Sequence, residues 1–223
     1  MSIAVNLQQI MTELPTGVRL VAVSKYYPPK AIEEAYQAGQ RIFGESRVQE
    51  MSVKQESLPR DIEWHFIGHL QTNKIKNIIS YVSMIHSVDS YSLLYEINKQ
   101  ALKAGRIVNV LLQIYIAQEE TKFGFSQDEC KEMLALGEWQ ELTGIRICGM
   151  MGMASNTDCE EQIGREFYSL KKFFDEMRQT FFATKPFFRE LSMGMSHDYL
   201  IAIKTGSSTL VRIGSKIFRE NNG

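Results

Sequence analysis

Lys25 directly follows the apolar run Arg19 to Ser24 (RLVAVS), which reads as a buried strand. A lysine at the end of such a strand stands in partly apolar surroundings. Desolvation disfavours the ammonium form and makes the amine a better nucleophile toward an aldehyde. A plain rim lysine reaching solvent is the competing reading, and both are open on these residues alone. Two further segments pair glycine with serine: Met193-Gly194-Met195-Ser196 and Val211-Arg212-Ile213-Gly214-Ser215. The glycine and serine of each come at the end of an expected strand, where free backbone N–H groups and hydroxyls suit a phosphate. An ordinary N-cap at Ser196 and a strand-end turn at Gly214 are the alternatives; the pair together favours phosphate. Arg212 lies within an apolar strand, and its charge needs either a carboxylate or a ligand as partner. Lys122 and Gly124, in Glu120-Thr121-Lys122-Phe123-Gly124, follow another strand and are expected at the same end of the fold. An amine, a phosphate cradle and a strand-borne arginine suggest a phosphorylated aldehyde held as an imine.

Other chemistries find little support. His65 and His69 are four apart, but their segment reads as a strand entering a loop broken by Gly68, so helical metal-ligand spacing does not apply. His86 lies in an expected strand and His197 at an expected helix start, both read as structural or rim residues. No HExxH, GxSxG or P-loop pattern occurs. Cys130, Cys148 and Cys159 are odd in number and lack CxxC spacing, which fits a reducing compartment and argues against a disulfide framework or thiolate zinc site. The 25 basic and 26 acidic side chains leave a net charge of -1, which argues against a general nucleic-acid binder while allowing a local basic pocket. There is no run of about 20 apolar residues to span a membrane. The segment Met1 to Leu14 reads as an amphipathic helix rather than a leader. The expected location is cytoplasmic, with no nucleic-acid or membrane partner.

The elements that must position these residues alternate along all 223 positions. Expected strands are Arg19–Ser24, Arg41–Phe43, Glu63–Ile67, Ser83–Ser87, Ile107–Ile116, Gly144–Met150, Phe188–Ser192 and Thr209–Ile213. Between them the sequence predicts helices from Pro28 to Ala38, from Glu45, over Gln71–Ser80, Ser90–Ala104, after the Ser126/Glu129 capping box, over Asp158–Phe181 and over Ser196–Lys204. Several strands are continuous apolar runs, as in a parallel sheet buried on both faces. Eight βα units in this length point to a small (β/α)8 TIM barrel with an extra N-terminal helix, a single domain over residues 1–223. A doubly wound open sheet is the alternative, but the first strand runs into Ser24-Lys25-Tyr26-Tyr27 without a glycine-rich phosphate loop.

The same residues carry a family resemblance. Ala22-Val23-Ser24-Lys25, Phe43-Gly44-Glu45, Trp64-His65-Phe66-Ile67-Gly68 with Leu70-Gln71 and Asn73-Lys74, Lys122 with Gly124, Gly149 to Met153, Leu191 to Ser196 with Asp198, and Val211-Arg212-Ile213-Gly214 stand in order along nearly the whole chain. The set resembles the pyridoxal phosphate homeostasis proteins (YggS-like). The resemblance implies a barrel similar to the alanine racemase N-terminal domain. It also implies pyridoxal 5′-phosphate as cofactor, Lys25 as the imine lysine, Ser196, Gly214 and Ser215 around the phosphate, and Arg212 at the pyridine nitrogen. Met195 and Lys122 belong to the same implied site. Ser46 does too, but it departs from the family pattern, which has the longer Asn after Phe-Gly-Glu. The segment Gly206 to Leu210 is one residue longer than the pattern, and Arg219 stands where Gly is common.

The resemblance implies a role in intracellular vitamin B6 balance without established turnover, with apo pyridoxal phosphate enzymes as partners. An amino-acid racemase or other small pyridoxal phosphate enzyme is the alternative. A Schiff-base aldolase acting on a sugar phosphate is a third class. Alanine-type racemisation needs a second base from an added β-domain and a dimer partner, for which this length leaves no expected room. A monomer is the default expectation, since the site needs no partner.

Overall fold

The computed structural model describes residues 2–118, 123–205 and 207–219. Eight strands close into one parallel barrel in chain order: β1 (Arg19–Val23), β2 (Ile42–Glu45), β3 (Glu63–Phe66), β4 (Met84–Val88), β5 (Val108–Gln113), β6 (Ile145–Met151), β7 (Glu190–Met195) and β8 (Leu210–Ile213). All eight expected strands are present. β8 closes on β1 with Val21 opposite Arg212, so the first and last strands of the sequence are neighbours.

Helices cover the outside: α1 (Ile3–Glu13), α2 (Pro29–Gln37), α3 (Val48–Ser57), α4 (Tyr91–Lys103), α5 (Gln127–Leu136), α6 (Glu160–Thr180), α7 (Tyr199–Lys204) and α8 (Ser215–Phe218). Local signals explain several boundaries. Pro28 and Pro29 open α2, Ser90 caps α4, and Ser126 with Glu129 forms a complete capping box at α5. The buried residues Ile163, Phe167, Leu170, Phe174 and Met177 lay one stripe of α6 against the barrel. Most of the core lies between helices and strands, whereas the barrel interior holds a small cluster of Val21, Met84, Leu111, Cys148, Met151 and Leu210.

Four of the differences from the sequence expectation exceed a shift of one or two residues or bear on the site. The region expected as a helix over 71–80 is a 3-10 turn over Thr72–Asn77, because buried Ile75, Ile78 and Ile79 form a contact only one turn long. β5 stops at Gln113, where its partner β6 ends at Met151. α3, expected from Glu45, starts at Val48 because Glu45 completes β2 with its side chain buried. Finally, β7 runs on through Met195, so the helix expected from Ser196 starts only at Tyr199.

Two register shifts re-aim side chains. In β6, Leu111 pairs with Gly149 one residue later than the preceding Val110–Ile147 pair requires. Met151 is thereby turned into the barrel beside Cys148. In β7, Ser192 pairs with Leu210 but Met195 pairs with Arg212, and the extra residue is absorbed around Gly194 at φ +90°. A side chain there would place its Cβ 2.7 Å from Tyr199 Cα. The bulge therefore needs glycine for both conformation and space.

Candidate functional site

The C-terminal strand ends form the barrel mouth. Lys25 emerges from β1 in a turn whose next residue, Tyr26, has φ 70°, the sole non-glycine in the left-handed region among the described residues. For an L-residue this costs roughly 1–2 kcal/mol. The turn is held from behind. Glu50 Oε1 accepts the Tyr26 backbone N–H at 2.6 Å. Lys54, buried on α3, donates to Glu50 Oε1 at 2.6 Å, Glu45 Oε1 at 2.8 Å and the Ser24 carbonyl at 2.8 Å. Ser24 Oγ donates to Glu45 Oε1 at 2.6 Å. Burial pushes the Glu45 carboxyl above its ordinary range, against the opposing bonds from Lys54 and Ser24. The expectation of partly apolar surroundings for Lys25 is not met: its side chain is exposed, with Nζ 5.9 Å from the centroid of the Tyr26 ring. The left-handed turn at Tyr26 follows directly, and the lysine side chain stands exposed at the rim. Continuing the β1–β2 register from Val23–Gly44 sets half-buried Ser46 next to Lys25 along the rim.

Arg212 points into the barrel from β8 and is 4% exposed. Nη1 donates to Ser192 Oγ at 2.5 Å and Nη2 to the Gly152 carbonyl at 3.1 Å. Neither partner is charged, and among the described residues no carboxylate forms an ion pair with it. Burial lowers its pKa to about 10, partly offset by the Asp198 charge. It still carries its proton at neutral pH. A buried guanidinium with unused donors at a barrel mouth is equipped for a ligand acceptor.

The loops after β7 and β8 are joined. Ser196 Oγ accepts the Gly214 N–H at 3.2 Å. The serine does not cap α7 as its expected helix start would have it: Asp198 holds the cap position, and its Oδ1 takes the Met195 N–H at 2.5 Å. Asp198 Oδ2 is buried without a hydrogen bond, 3.3 Å from His197 Nε2. A Cβ on Gly214 would come within 2.8 Å of the Val23 carbonyl, so the β8 loop lies directly on the end of β1. Ser215 opens the four-residue α8. Lys25, Ser196, Arg212, Gly214 and Ser215 are thus brought together on three adjacent strands, β7, β8 and β1. Met195 is half-buried beside them and lines a cavity of about 240 Å³ with Gln113, Tyr115 and Met153. Lys122 and Gly206 lie outside the described residues. Gly124 pairs its neighbour Phe125 with Ile114 past the end of β5.

Sequence reasoning missed the supports. Glu50 and Lys54 are four apart on one helix face, a spacing that signals an ion pair but not what it holds. The sequence reads His86 as a structural or rim residue. It sits inside the barrel with Nδ1 3.0 Å from Ser192 Oγ and Nε2 2.9 Å from His65 Nδ1, so it belongs to the shell that holds Arg212. Burial, then the Arg19 charge, pushes His65 down to about 3; burial, then repulsion from His65, Arg212 and Arg19, lowers His86 well below the ordinary histidine range. Both rings are neutral. His69 instead lies outside in the loop after β3, exposed and 3.4 Å from Asp89.

The donor set suits a phosphorylated aldehyde on chemical grounds. It offers a free amine, a buried cation with spare N–H groups, and hydroxyls on two joined loops. Fold and site together define a ligand-binding (β/α)8 barrel whose mouth is furnished for an anionic carbonyl compound. The chain belongs to the alanine racemase N-terminal domain family, whose model matches residues 1–221. It is 39% identical over 203 residues to the pyridoxal phosphate homeostasis protein of Aquifex aeolicus (strain VF5), covering 91% of this chain and 86% of that one. PipY of Synechococcus elongatus PCC7942, solved with PLP bound, superposes with a TM-score of 0.87 at 34% identity, covering 98% of this chain and 100% of PipY. Alanine racemase of Clostridium difficile 630 shares the fold, with a TM-score of 0.78 at 15% identity over 100% of this chain and 57% of the racemase.

Proposed function

We propose that this protein binds pyridoxal 5′-phosphate at the barrel mouth and serves in cofactor homeostasis, with no amino-acid turnover of its own. The observation that carries the reading is Arg212: a buried, protonated guanidinium bonded only to neutral oxygens, with donors left over. The cofactor would supply an aldehyde for covalent attachment and a ring that withdraws electrons. Lys25 is the amine for the aldehyde carbon, free at the rim and carried by the Tyr26 turn. Ser196 and Ser215 give hydroxyls to the phosphate, and the Ser196–Gly214 bond keeps their loops in register. Met195, Ser46 and Lys122 would complete the site.

Arg212 also speaks to turnover. A guanidinium that keeps its proton donates to the ring nitrogen without protonating it. The ring is then a weaker electron sink, and removal of an amino-acid α-proton is slow. Racemases work with a similar arrangement, which keeps a racemase-type activity as the second reading. PipY with PLP bound and the homeostasis proteins at 39% identity support the first.

The deciding experiment is the absorption spectrum of the full chain with pyridoxal phosphate, before and after borohydride, followed by peptide mapping. A visible band lost on reduction, with the label on Lys25, is expected. In Lys25→Ala the band should vanish while the fold is kept, because an exposed side chain holds no core. An unchanged band in that variant overturns the assignment.

A further inference from the structure

The barrel has a second chamber at its other pole, among the N-terminal strand ends. It is an open pocket of about 380 Å³, the small end of the range for small-molecule sites. Three guanidinium groups line it: Arg19 from β1, Arg146 from β6 and Arg189 just before β7. Glu190 answers two of them, with Oε1 2.7 Å from Arg19 Nη2 and 3.5 Å from Arg189 Nε. Glu63 is the other carboxylate in the lining, so one positive charge is in excess. Arg146 has neither a carboxylate nor a hydrogen-bond partner among the described residues; its guanidinium lies over Phe187, 5.4 Å from the ring centroid.

His65 and Asn109 form part of the chamber wall. His65 is 2% exposed, and its Nδ1 is taken by His86. No group of the described residues bonds its Nε2. The side-chain chain Arg212–Ser192–His86–His65 therefore joins the mouth to this chamber, with links of 2.5, 3.0 and 2.9 Å. One polarity uses every available proton. Arg212 donates to Ser192, the Ser192 hydroxyl to His86 Nδ1, and His86 Nε2–H to His65 Nδ1. His65 Nε2 then presents N–H to the chamber. In the reverse polarity Ser192 accepts from both neighbours and its own proton has no partner.

We propose that the chamber at the N-terminal pole is a second binding site, for a small oxyanion of carboxylate or phosphate type, whose occupancy reaches Arg212 through Ser192, His86 and His65. Guanidinium forks match the paired oxygens of such anions. Arg146 is free to make that contact, and the Arg189 side chain is exposed enough to join it. An acceptor opposite His65 Nε2 selects the polarity in which it carries hydrogen. That choice passes along both rings and sets whether Ser192 donates onward or only accepts, which changes the acceptor strength of the same Ser192 Oγ that Arg212 bonds. The chamber itself stands independently of the cofactor reading; only the coupling to Arg212 rests on it.

The test is titration of the full chain, preloaded with pyridoxal phosphate so that the mouth is filled, with inorganic phosphate at constant ionic strength. The readout is the ¹⁵N resonance of the His65 and His86 rings. A saturable shift, largest at His65 Nε2, is expected. Arg146→Ala with Arg189→Ala should weaken it at least tenfold, while Arg165→Ala, an exposed charge on α6, leaves it unchanged. A shift that does not saturate, that chloride reproduces, or that survives the double variant overturns the site. Repeating the titration on Lys25→Ala separates the two proposals: a saturable, Arg146-dependent shift there upholds the chamber even if the cofactor assignment fails. Coupling is read from the cofactor's absorption maximum, which should move with phosphate in the parent chain and stay still in His86→Phe. The same movement in both would overturn the relay.

Discussion

Ser196 Oγ accepts the backbone N–H of Gly214 at 3.2 Å, so the loops after β7 and β8 act as one unit. Replacing Ser196 by Ala removes a hydroxyl and also releases Gly214, whereas Ser215→Ala removes a hydroxyl alone. A hydrogen bond to a charged group is worth about 1.5–3 kcal/mol, or about ten- to a hundredfold in affinity. Either change should weaken pyridoxal phosphate far more than unphosphorylated pyridoxal, with Ser196→Ala the larger. Equal loss for both ligands, measured by equilibrium titration, would place the phosphate elsewhere.

Glu50 holds the turn that carries Lys25. In Glu50→Ala the Tyr26 N–H loses its acceptor and a φ of 70° loses its restraint. Hydrogen exchange at the Tyr26 amide should speed up at least tenfold, and covalent loading of Lys25 should slow, with global stability changing much less. Glu50→Gln keeps an acceptor oxygen and should recover most of the loading rate. Unaltered exchange at Tyr26 in Glu50→Ala would show that the turn stands without this contact.

The buried histidines make stability depend on pH. Both fold with their pKa below the ordinary 6.5, and His65 lies at about 3. Below about 6.5 the unfolded chain binds protons that the fold refuses, so stability is complete above that value and falls as pH drops toward 3. His65 contributes a slope of up to about 1.4 kcal/mol per pH unit within that window, and His86 adds in the same direction. Glu45 acts in the opposite sense, because burial raises its carboxyl, but it is one group against two. Urea unfolding at pH 7, 6 and 5 should show this decline, and His65→Gln should flatten it, a comparison from which Glu45 cancels. An identical slope in parent and variant would mean that His65 is not held neutral.

Amino-acid turnover should be slow. Incubation of the loaded protein with L- and D-amino acids in deuterated water should give α-deuterium incorporation and racemisation well under about 1 s⁻¹, ordinary for enzymes. In parallel, an apo pyridoxal phosphate enzyme mixed with the loaded protein should regain activity. Turnover of one amino acid at or above that rate would favour the racemase reading.

The alternation of apolar runs with amphipathic segments was enough to determine eight strands and a barrel, because burial on both faces of a parallel sheet and on one face of a helix leaves two distinct periodicities. Lys25, Ser196, Arg212 and Gly214 were legible because strand ends deliver their residues to one pole of any such barrel. Side-chain direction and partners were not, since they depend on register and on contacts between segments remote in sequence. The extra residue at Gly194 shifts β7 against β8, and only closure of β8 on β1 sets Gly214 against Val23. Ser196 looked like a helix cap because its type is right for one; tertiary structure gave the cap position to Asp198 and turned the Ser196 hydroxyl toward Gly214. His65 and His86, 21 residues apart, meet only because β3 and β4 pair. The barrel then removes both rings from water and joins them to Arg212. No local pattern encodes that link, because a hydrogen bond between inward-facing side chains exists only once the strands around it have closed.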